Sequence, residues 1–141
     1  MFKPQYHKLE YQNNPKTGRF EKLPSIKTIQ SMPFELKIEE TQEERIRQQG
    51  ANLIITGRIK NKKREFFTGL IPIQKNCFQG NNYEFLNNQK KLSLAILIFS
   101  SDNSSMTVYY FNRYYIDNAA HREKFCQTFL SEIINKKGSN D

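Results

Sequence analysis

Apolar and charged residues first alternate strictly within the segment 34–39, which is the period of a half-buried β-strand. A short helix over residues 42–49 is predicted next. Thr41 and the acidic residues after it form a capping box, and Gly50 supplies a left-handed end to the helix. A single helix over residues 33–49 would also use several of these apolar positions and is the alternative.

Two longer stretches predict β-hairpins. Residues 51–73 place two β-branched and aromatic runs on either side of a polar tip at 61–63. Pro72 is expected to end the second of these strands or to place it at a sheet edge. Residues 92–111 predict another hairpin that turns at 100–105. Its first strand is almost continuously apolar, so it is expected to lie at the centre of the sheet with both faces covered.

The last element predicted is a helix over residues 119–135, capped by Asp117 or Asn118. Its apolar residues recur at the spacing of one helix face and are expected to pack on a sheet. They are Phe125, Cys126, Phe129, Leu130, Ile133 and Ile134.

Two segments carry no strong periodic pattern. Residues 1–27 are basic, contain three prolines and read as an extended arm, which either docks as an edge strand or stays mobile. Residues 74–91 read as an Asn-rich connection with turns at 80–82 and 87–88. The sequence thus predicts a basic arm at 1–27 and a single α+β domain at 28–141. The domain has a mainly antiparallel sheet of four to five strands, with the C-terminal helix packed on one face.

Composition agrees with one small domain. The chain has 141 residues, a common size for a single domain, and its 11 Phe and 7 Tyr supply apolar material for a core. Its first residues lack the apolar run of a signal peptide, and no stretch is long and apolar enough to cross a membrane. Two cysteines are too few for a disulfide framework. We expect a soluble, cytoplasmic protein with reduced thiols and no membrane partner.

Charge gives the first indication of function. The net charge is +8, and half of that excess falls within residues 51–73. Five basic residues crowd the tip of the predicted hairpin, namely Arg58, Lys60, Lys62, Lys63 and Arg64. Such a cluster suits a phosphate backbone, since each neutralised phosphate releases counterions. The alternative is that these charges keep the hairpin soluble and prevent edge-to-edge pairing.

Aromatic residues stand close to basic ones in two places. Phe66 stands two positions after Arg64, the end of the basic cluster, and Arg113 lies among the tyrosines of the segment 109–115. An exposed ring next to an arginine can stack on an unpaired base, which makes Phe66, Tyr110 and Tyr114 candidate stacking residues and Arg113 a candidate phosphate contact. The alternative is that the tyrosine rings pack against the final helix.

The sequence offers little for catalysis. Neither histidine has a motif that orients it, and neither cysteine has the charged neighbours that activate a thiol. Glu35 and Lys37 fall on one face of a predicted strand, as in some metal-dependent nucleases, but the second acidic residue of such a site is missing. No catalytic residue, metal site or cofactor is predicted.

These observations favour a non-enzymatic, small basic module that engages single-stranded or duplex nucleic acid through backbone contacts and aromatic stacking. The first alternative is an inhibitor or adaptor from a mobile element, which binds a nucleic-acid-binding protein. The second alternative is a nuclease, dependent on a metal or not. The sequence makes no prediction of the oligomeric state.

Overall fold

The computed structural model describes residues 6–23, 34–48, 50–58, 65–82, 93–111 and 119–139. Within them the chain forms eight antiparallel strands and two helices. Each strand pairs with the next one along the chain, and the last strand pairs with the first. The sheet is therefore a closed up-and-down barrel, which has no unpaired edge strand.

The elements follow one another without a crossover. The strands are β1 (His7–Asn14), β2 (Arg19–Lys22), β3 (Glu35–Glu40), β4 (Leu53–Arg58), β5 (Glu65–Gln74), β6 (Cys77–Asn82), β7 (Ser93–Phe99) and β8 (Ser105–Phe111). The helices are α1 (Glu44–Arg47), between β3 and β4, and α2 (Ala119–Ser139), after β8.

The predicted α+β fold with four to five strands is wrong. The strand at 34–39 and both hairpins are present, as β3, β4–β5 and β7–β8, but the barrel also contains β1, β2 and β6. Those three strands lie in segments with few apolar residues. In a small closed barrel only every second residue of a strand enters the interior, so a strand with one or two large apolar side chains is sufficient.

The segment 1–27 contributes the first hairpin of the barrel. In β1, Leu9 and Tyr11 are buried and alternate with exposed residues, as in a strand with one face in the core. The turn to β2 ends at Gly18, which has a φ of +72° and donates its amide to the Asn14 carbonyl at 2.7 Å. This left-handed conformation favours glycine.

The strand β6 replaces part of the predicted Asn-rich connection at 74–91. Gln74 lies opposite Cys77, so only two residues turn the chain between β5 and β6. The second of them, Asn76, has a φ of +63°, a conformation that asparagine adopts more readily than most residues. The residues predicted to turn at 80–82 instead pair with β7.

The barrel interior holds one apolar core. It contains the inward residues of all eight strands, of which the fully buried ones are Leu9, Tyr11, Phe20, Leu36, Ile55, Leu70, Ala95, Leu97, Met106, Val108 and Tyr110. Tyr110 lies opposite Ala95, which lies opposite Gly80, so the positions beside this ring are small. Alternation of large and small residues of this kind is how a barrel of eight strands fills its interior.

Two tyrosines of this core lie close enough to affect each other's ionisation. Burial of Tyr11 raises the pKa of its hydroxyl far above the ordinary value near 10, and the neighbouring Tyr110 raises that pKa further. Desolvation has this effect because the low-dielectric interior disfavours the phenolate.

A second apolar core lies outside the barrel, under α2. Cys126, Phe129 and Leu130 of the helix pack on Leu94 and Ile96 of β7 and on neighbouring residues of β6 and β8. This confirms that the predicted helix face packs on the sheet. It also confirms that both faces of β7 are covered, because Ala95 and Leu97 of the same strand face the barrel interior. The predicted central position is wrong, since every strand of a closed barrel is paired on both sides.

The strand β3 is followed by the helix α1, so the alternative of one helix over 33–49 is wrong. The helix α1 is only four residues long. Thr41 Oγ1 accepts the amide of Glu43 at 3.2 Å, one residue earlier than the capping box predicts. Gly50 has a φ of +91° and donates its amide to the Arg47 carbonyl, which confirms its role at the end of the helix.

The strand β5 is irregular at two points. Ile54 lies opposite Gly69 and Thr56 opposite Phe66, so β5 carries one extra residue in a bulge next to this glycine. Pro72 pairs with β6, whereas the pairing of β4 with β5 ends at Leu70. This part of β5 is thus paired on one side only, which is a local edge where a proline is tolerated.

Candidate nucleic-acid interface

The up-and-down topology attaches four connecting segments to one end of the barrel. Glu35 lies opposite Arg58, and Asn82 lies opposite Ser93, so the chain leaves and re-enters the described strands at the same end. The same end is marked in β5 by Glu65, which lies opposite Gly57, and in β1 and β8 by the pair of His7 with Tyr110. We call it the loop end. The segments attached to it are 24–33, 59–64, 83–92 and 112–118, all of which lie outside the described residues.

The other end, here named the turn end, carries the remaining four connections. These are residues 15–18, 41–52 with α1, 75–76 and 100–104. In the last of them, Asp102 accepts hydrogen bonds from the Ser100 hydroxyl at 2.8 Å and the Ser104 hydroxyl at 2.7 Å. Bonds from Ser104 and Ser100 lower the pKa of the Asp102 carboxyl to about 2.

Charge is distributed unequally between the two ends. The four segments attached to the loop end contain eight basic and two acidic residues, a net charge of +6. The four connections at the turn end contain four basic and three acidic residues, a net charge of +1. Of the connecting segments, those attached to the loop end therefore carry most of the net positive charge, although they are far apart in sequence.

The acidic run at 39–44 begins at the turn end of β3, whereas the basic segment 59–64 is attached to the opposite end of β4. Glu40 lies opposite Leu53, at the start of β4, whereas Arg58 ends that strand next to residues 59–64. Glu40 lies five residue steps after Glu35 in β3, which is about 17 Å along a strand. Three acidic residues lie near the level of Arg58: Glu35 opposite it, Glu21 opposite Glu35, and Glu65 opposite Gly57. The Oε1 of Glu35 lies 2.8 Å from Nη1 of Arg19, which compensates the charge of Glu35.

The structure places only some of the predicted site residues. Arg58 ends β4 and Phe66 lies opposite Thr56 in β5, both close to the loop end. Tyr110 is also among the described residues. The remaining six candidates lie outside the described residues: Lys60, Lys62, Lys63, Arg64, Arg113 and Tyr114.

Tyr110 is placed wrongly by the sequence interpretation. Its side chain is 1% exposed and belongs to the barrel interior, so it cannot stack on a base at the surface. Its neighbours Tyr109 and Phe111 pack against Phe129 of α2 instead. The strand alternation separates Tyr110 from these two rings correctly. An open sheet covered on one face leaves its other face exposed, whereas closure of the barrel encloses that second face.

Exposed apolar residues at the loop end were not predicted. Among the described residues, the large apolar side chains with the greatest exposure are Tyr6 at 44%, Leu23 at 38% and Phe34 at 44%. They directly precede β1, follow β2 and precede β3, so all three stand at the loop end. Phe34 was expected to share the buried face of Leu36, but it lies one residue before the strand and outside the core.

The described residues offer no arrangement for metal chemistry. Within them no three His, Cys, Asp or Glu side chains are grouped as a metal site. The two residues of the nuclease pattern are engaged separately, Glu35 with Arg19 and Lys37 with Glu39 at 2.6 Å. Cys77 and Cys126 are both buried thiols, which places Cys77 in the core rather than in a loop.

Comparison of the chain with models of protein families, with curated proteins and with solved structures finds no match. None of the helices in the described part of the chain combines the length and the apolar character that a membrane span requires.

Proposed function

We propose that this protein is a non-enzymatic binding module that engages nucleic acid with the loop end of its barrel. The observation that carries the proposal is the charge difference between the ends, +6 against +1 in the connecting segments. A phosphate backbone is the polyanion that such a concentration of Lys and Arg fits best.

The fold supplies a suitable platform for this role. The strands hold the chain on both sides of each connection, as at Gly57 opposite Glu65, and binding residues commonly stand on loops that a rigid sheet positions. The four basic residues in 59–64 are the strongest candidates for phosphate contacts, because no other connection carries as many. Arg113, Lys90 and Lys91 belong to segments attached to the same end and are candidates for further contacts.

The test compares two variants that remove the same charge from opposite ends. One is K60A/K62A/K63A/R64A at the loop end, and the control is K16A/R45A/R47A/K75A at the turn end. Both lower the net charge from +8 to +4. Fluorescence anisotropy with labelled oligonucleotides, single-stranded and duplex, gives the affinity between 50 and 200 mM salt, conditions in which phosphate contacts have a large effect.

The proposal predicts that the loop-end variant loses affinity and that its log–log salt slope becomes shallower by roughly 3, since each phosphate contact contributes about 0.7 to 0.9. The turn-end control should bind nearly as the parent protein does. Equal losses in both variants would show that binding follows net charge only, and would refute a specific interface.

Purification distinguishes the alternatives. A protein that binds no oligonucleotide, but retains a protein partner after nuclease treatment, would be the inhibitor or adaptor. Cleavage of labelled RNA or DNA, with Mg²⁺ or with EDTA, would make it a nuclease and contradict the non-enzymatic assignment.

A further inference from the structure

Two of the exposed apolar residues at the loop end are held in place by backbone hydrogen bonds. The Lys22 amide donates to the Phe34 carbonyl at 2.8 Å, and the Leu23 amide donates to the Glu10 carbonyl at 2.8 Å. These bonds extend the pairing of β2 by one residue toward each neighbouring strand. Phe34 and Leu23 therefore stand on ordered backbone with exposed side chains.

Phe34 differs from Tyr6, which is the other aromatic residue among these three. Tyr6 packs on Tyr109, Phe111 and Phe129, with ring centroids 5.3 to 5.8 Å away, which gives it a structural role against α2. Phe34 makes no ring contact with the described residues and belongs to neither apolar core. Its exposed face contributes nothing to the packing of those cores.

An uncompensated cation accompanies Phe34. The Lys22 ammonium makes no ion pair with any described residue, although its amide is bonded to Phe34. The nearby Glu35 carboxylate is engaged by Arg19. A flat apolar ring and a cation on adjacent strand ends match the two parts of an unpaired nucleotide, its base and its phosphate.

We propose that Phe34 is a stacking surface for an unpaired base and that Lys22 contacts a phosphate of the same strand, with Leu23 as an apolar flank. This inference rests on the proposed nucleic-acid binding and adds a preference for single strands. Bases in a duplex are stacked on each other and do not present a free face, so the ring of Phe34 adds affinity only where a base is unpaired.

The first experiment uses a 20-nucleotide oligothymidylate and a 20-base-pair duplex, each fluorescein-labelled. The variant F34A is expected to weaken binding to the single strand about five-fold or more, the effect of losing one stacked base. Its affinity for the duplex should change less than two-fold. K22A is expected to make the salt slope for the single strand shallower by about 0.7, whereas F34A leaves that slope unchanged.

The second experiment exploits the absence of tryptophan from the chain. F34W introduces a single tryptophan that keeps the stacking surface, so its fluorescence should be quenched by the oligothymidylate while the affinity stays close to that of the parent. S101W, which puts the tryptophan at an exposed position of the turn end, is the control and should show no quenching on binding.

Several results would refute the inference. If F34A binds the single strand as the parent does, or if F34W is not quenched, Phe34 is not the stacking residue, although the basic segments could still bind phosphate. If the parent protein binds neither oligonucleotide, the proposed function and this inference both fail. If F34A instead converts a dimer to a monomer without changing nucleic-acid affinity, the exposed ring serves self-association.

Discussion

Arg19 and Glu35 form a partly buried ion pair that joins β2 to β3, with Nη1 2.8 Å from Oε1. The pairing between these two strands is short, because β2 has only four residues. It comprises Phe20 opposite Leu36 and Glu21 opposite Glu35. The second of these pairs sets two carboxylates opposite each other, which is destabilising unless a cation stands nearby. Arg19 supplies that cation.

We therefore expect R19A to lower the free energy of unfolding by about 1 to 2 kcal/mol, between the usual effects for exposed and for buried ion pairs. The side chains of Arg19 and Glu35 are 28% and 17% exposed, so solvent screens them incompletely. Urea denaturation followed by circular dichroism measures the change. E35Q in the R19A background should recover part of the loss, since it removes the uncompensated charge.

The matched control is the pair of Lys37 with Glu39 on β3, whose side chains are 47% and 51% exposed. Because solvent screens this pair, K37A should change the stability by less than about 0.5 kcal/mol. If R19A and K37A have equal effects, the ion pair across β2 and β3 is not a significant contact of the barrel.

The buried hydroxyl of Tyr11 predicts a loss of stability in alkali. Burial raises the pKa of this group in the folded protein above its unfolded value near 10. Its contribution to stability is therefore complete below pH 10 and is lost as the pH rises beyond that value, because the unfolded chain releases the proton more easily. Absorbance at 295 nm should show that Tyr11 ionises only together with the unfolding transition.

Y11F removes this ionisation. After correction for any difference in stability at pH 7, its alkaline unfolding midpoint should lie at a higher pH than that of the parent protein. Y110F retains Tyr11 and should still show a tyrosine step at its unfolding transition. A parent protein whose tyrosines all ionise before circular dichroism reports unfolding would contradict the burial of Tyr11.

The thiols of Cys77 and Cys126 report on the packing of α2. Both are buried in the core between this helix and the barrel. A thiol reagent such as DTNB should react with neither in native buffer and with both in 6 M guanidinium chloride. We expect L130A to lower the stability by about 2 to 5 kcal/mol and to speed labelling of Cys126, since it leaves a cavity under the helix.

The control for this variant is L97A, which removes the same atoms from the opposite face of β7, inside the barrel. It should destabilise the protein by a comparable amount. At matched global stability, labelling of Cys126 should be faster in L130A than in L97A, because only L130A weakens the docking of the helix. Equal rates would mean that the helix separates from the barrel only on global unfolding.

The strongest hydrophobic signals in the sequence predicted their elements well. The strand β7 is apolar on both faces because α2 covers one and the barrel encloses the other, and the burial of both faces could be predicted from that pattern. The stripe of α2 around Cys126 and Leu130 was equally clear. Each of these elements buries a large area of apolar side chains. The apolar residues therefore form a long pattern that can be recognised in the sequence.

The weaker strands could not be recognised from local pattern. β1 contributes Leu9 and Tyr11 to the core and β2 contributes Phe20, so each resembles a polar segment. β6 was hidden by asparagines, since Asn76 makes a turn while Asn81 and Asn82 lie in the strand. These strands are stabilised by pairing on both sides, which is a tertiary interaction that the local sequence does not encode.

The candidate interface depends on this missing part of the fold. Arg58 was a prediction from a single hairpin, but the common location of segments 24–33, 59–64, 83–92 and 112–118 follows only from the number and order of the strands. The misplacement of Tyr110 has the same origin. Whether the second face of β8 meets solvent or a core is decided by barrel closure, not by the residues of β8.

Closure of the barrel by β1 and β8 also has a consequence for synthesis of the chain. His7 finds its partner Tyr110 only after some hundred further residues have left the ribosome, which takes about 5 to 20 s at typical elongation rates. During that interval β1 has an open edge in the nascent chain. Lys8 and Glu10, on its exposed face, disfavour pairing with other nascent chains until the final strand emerges.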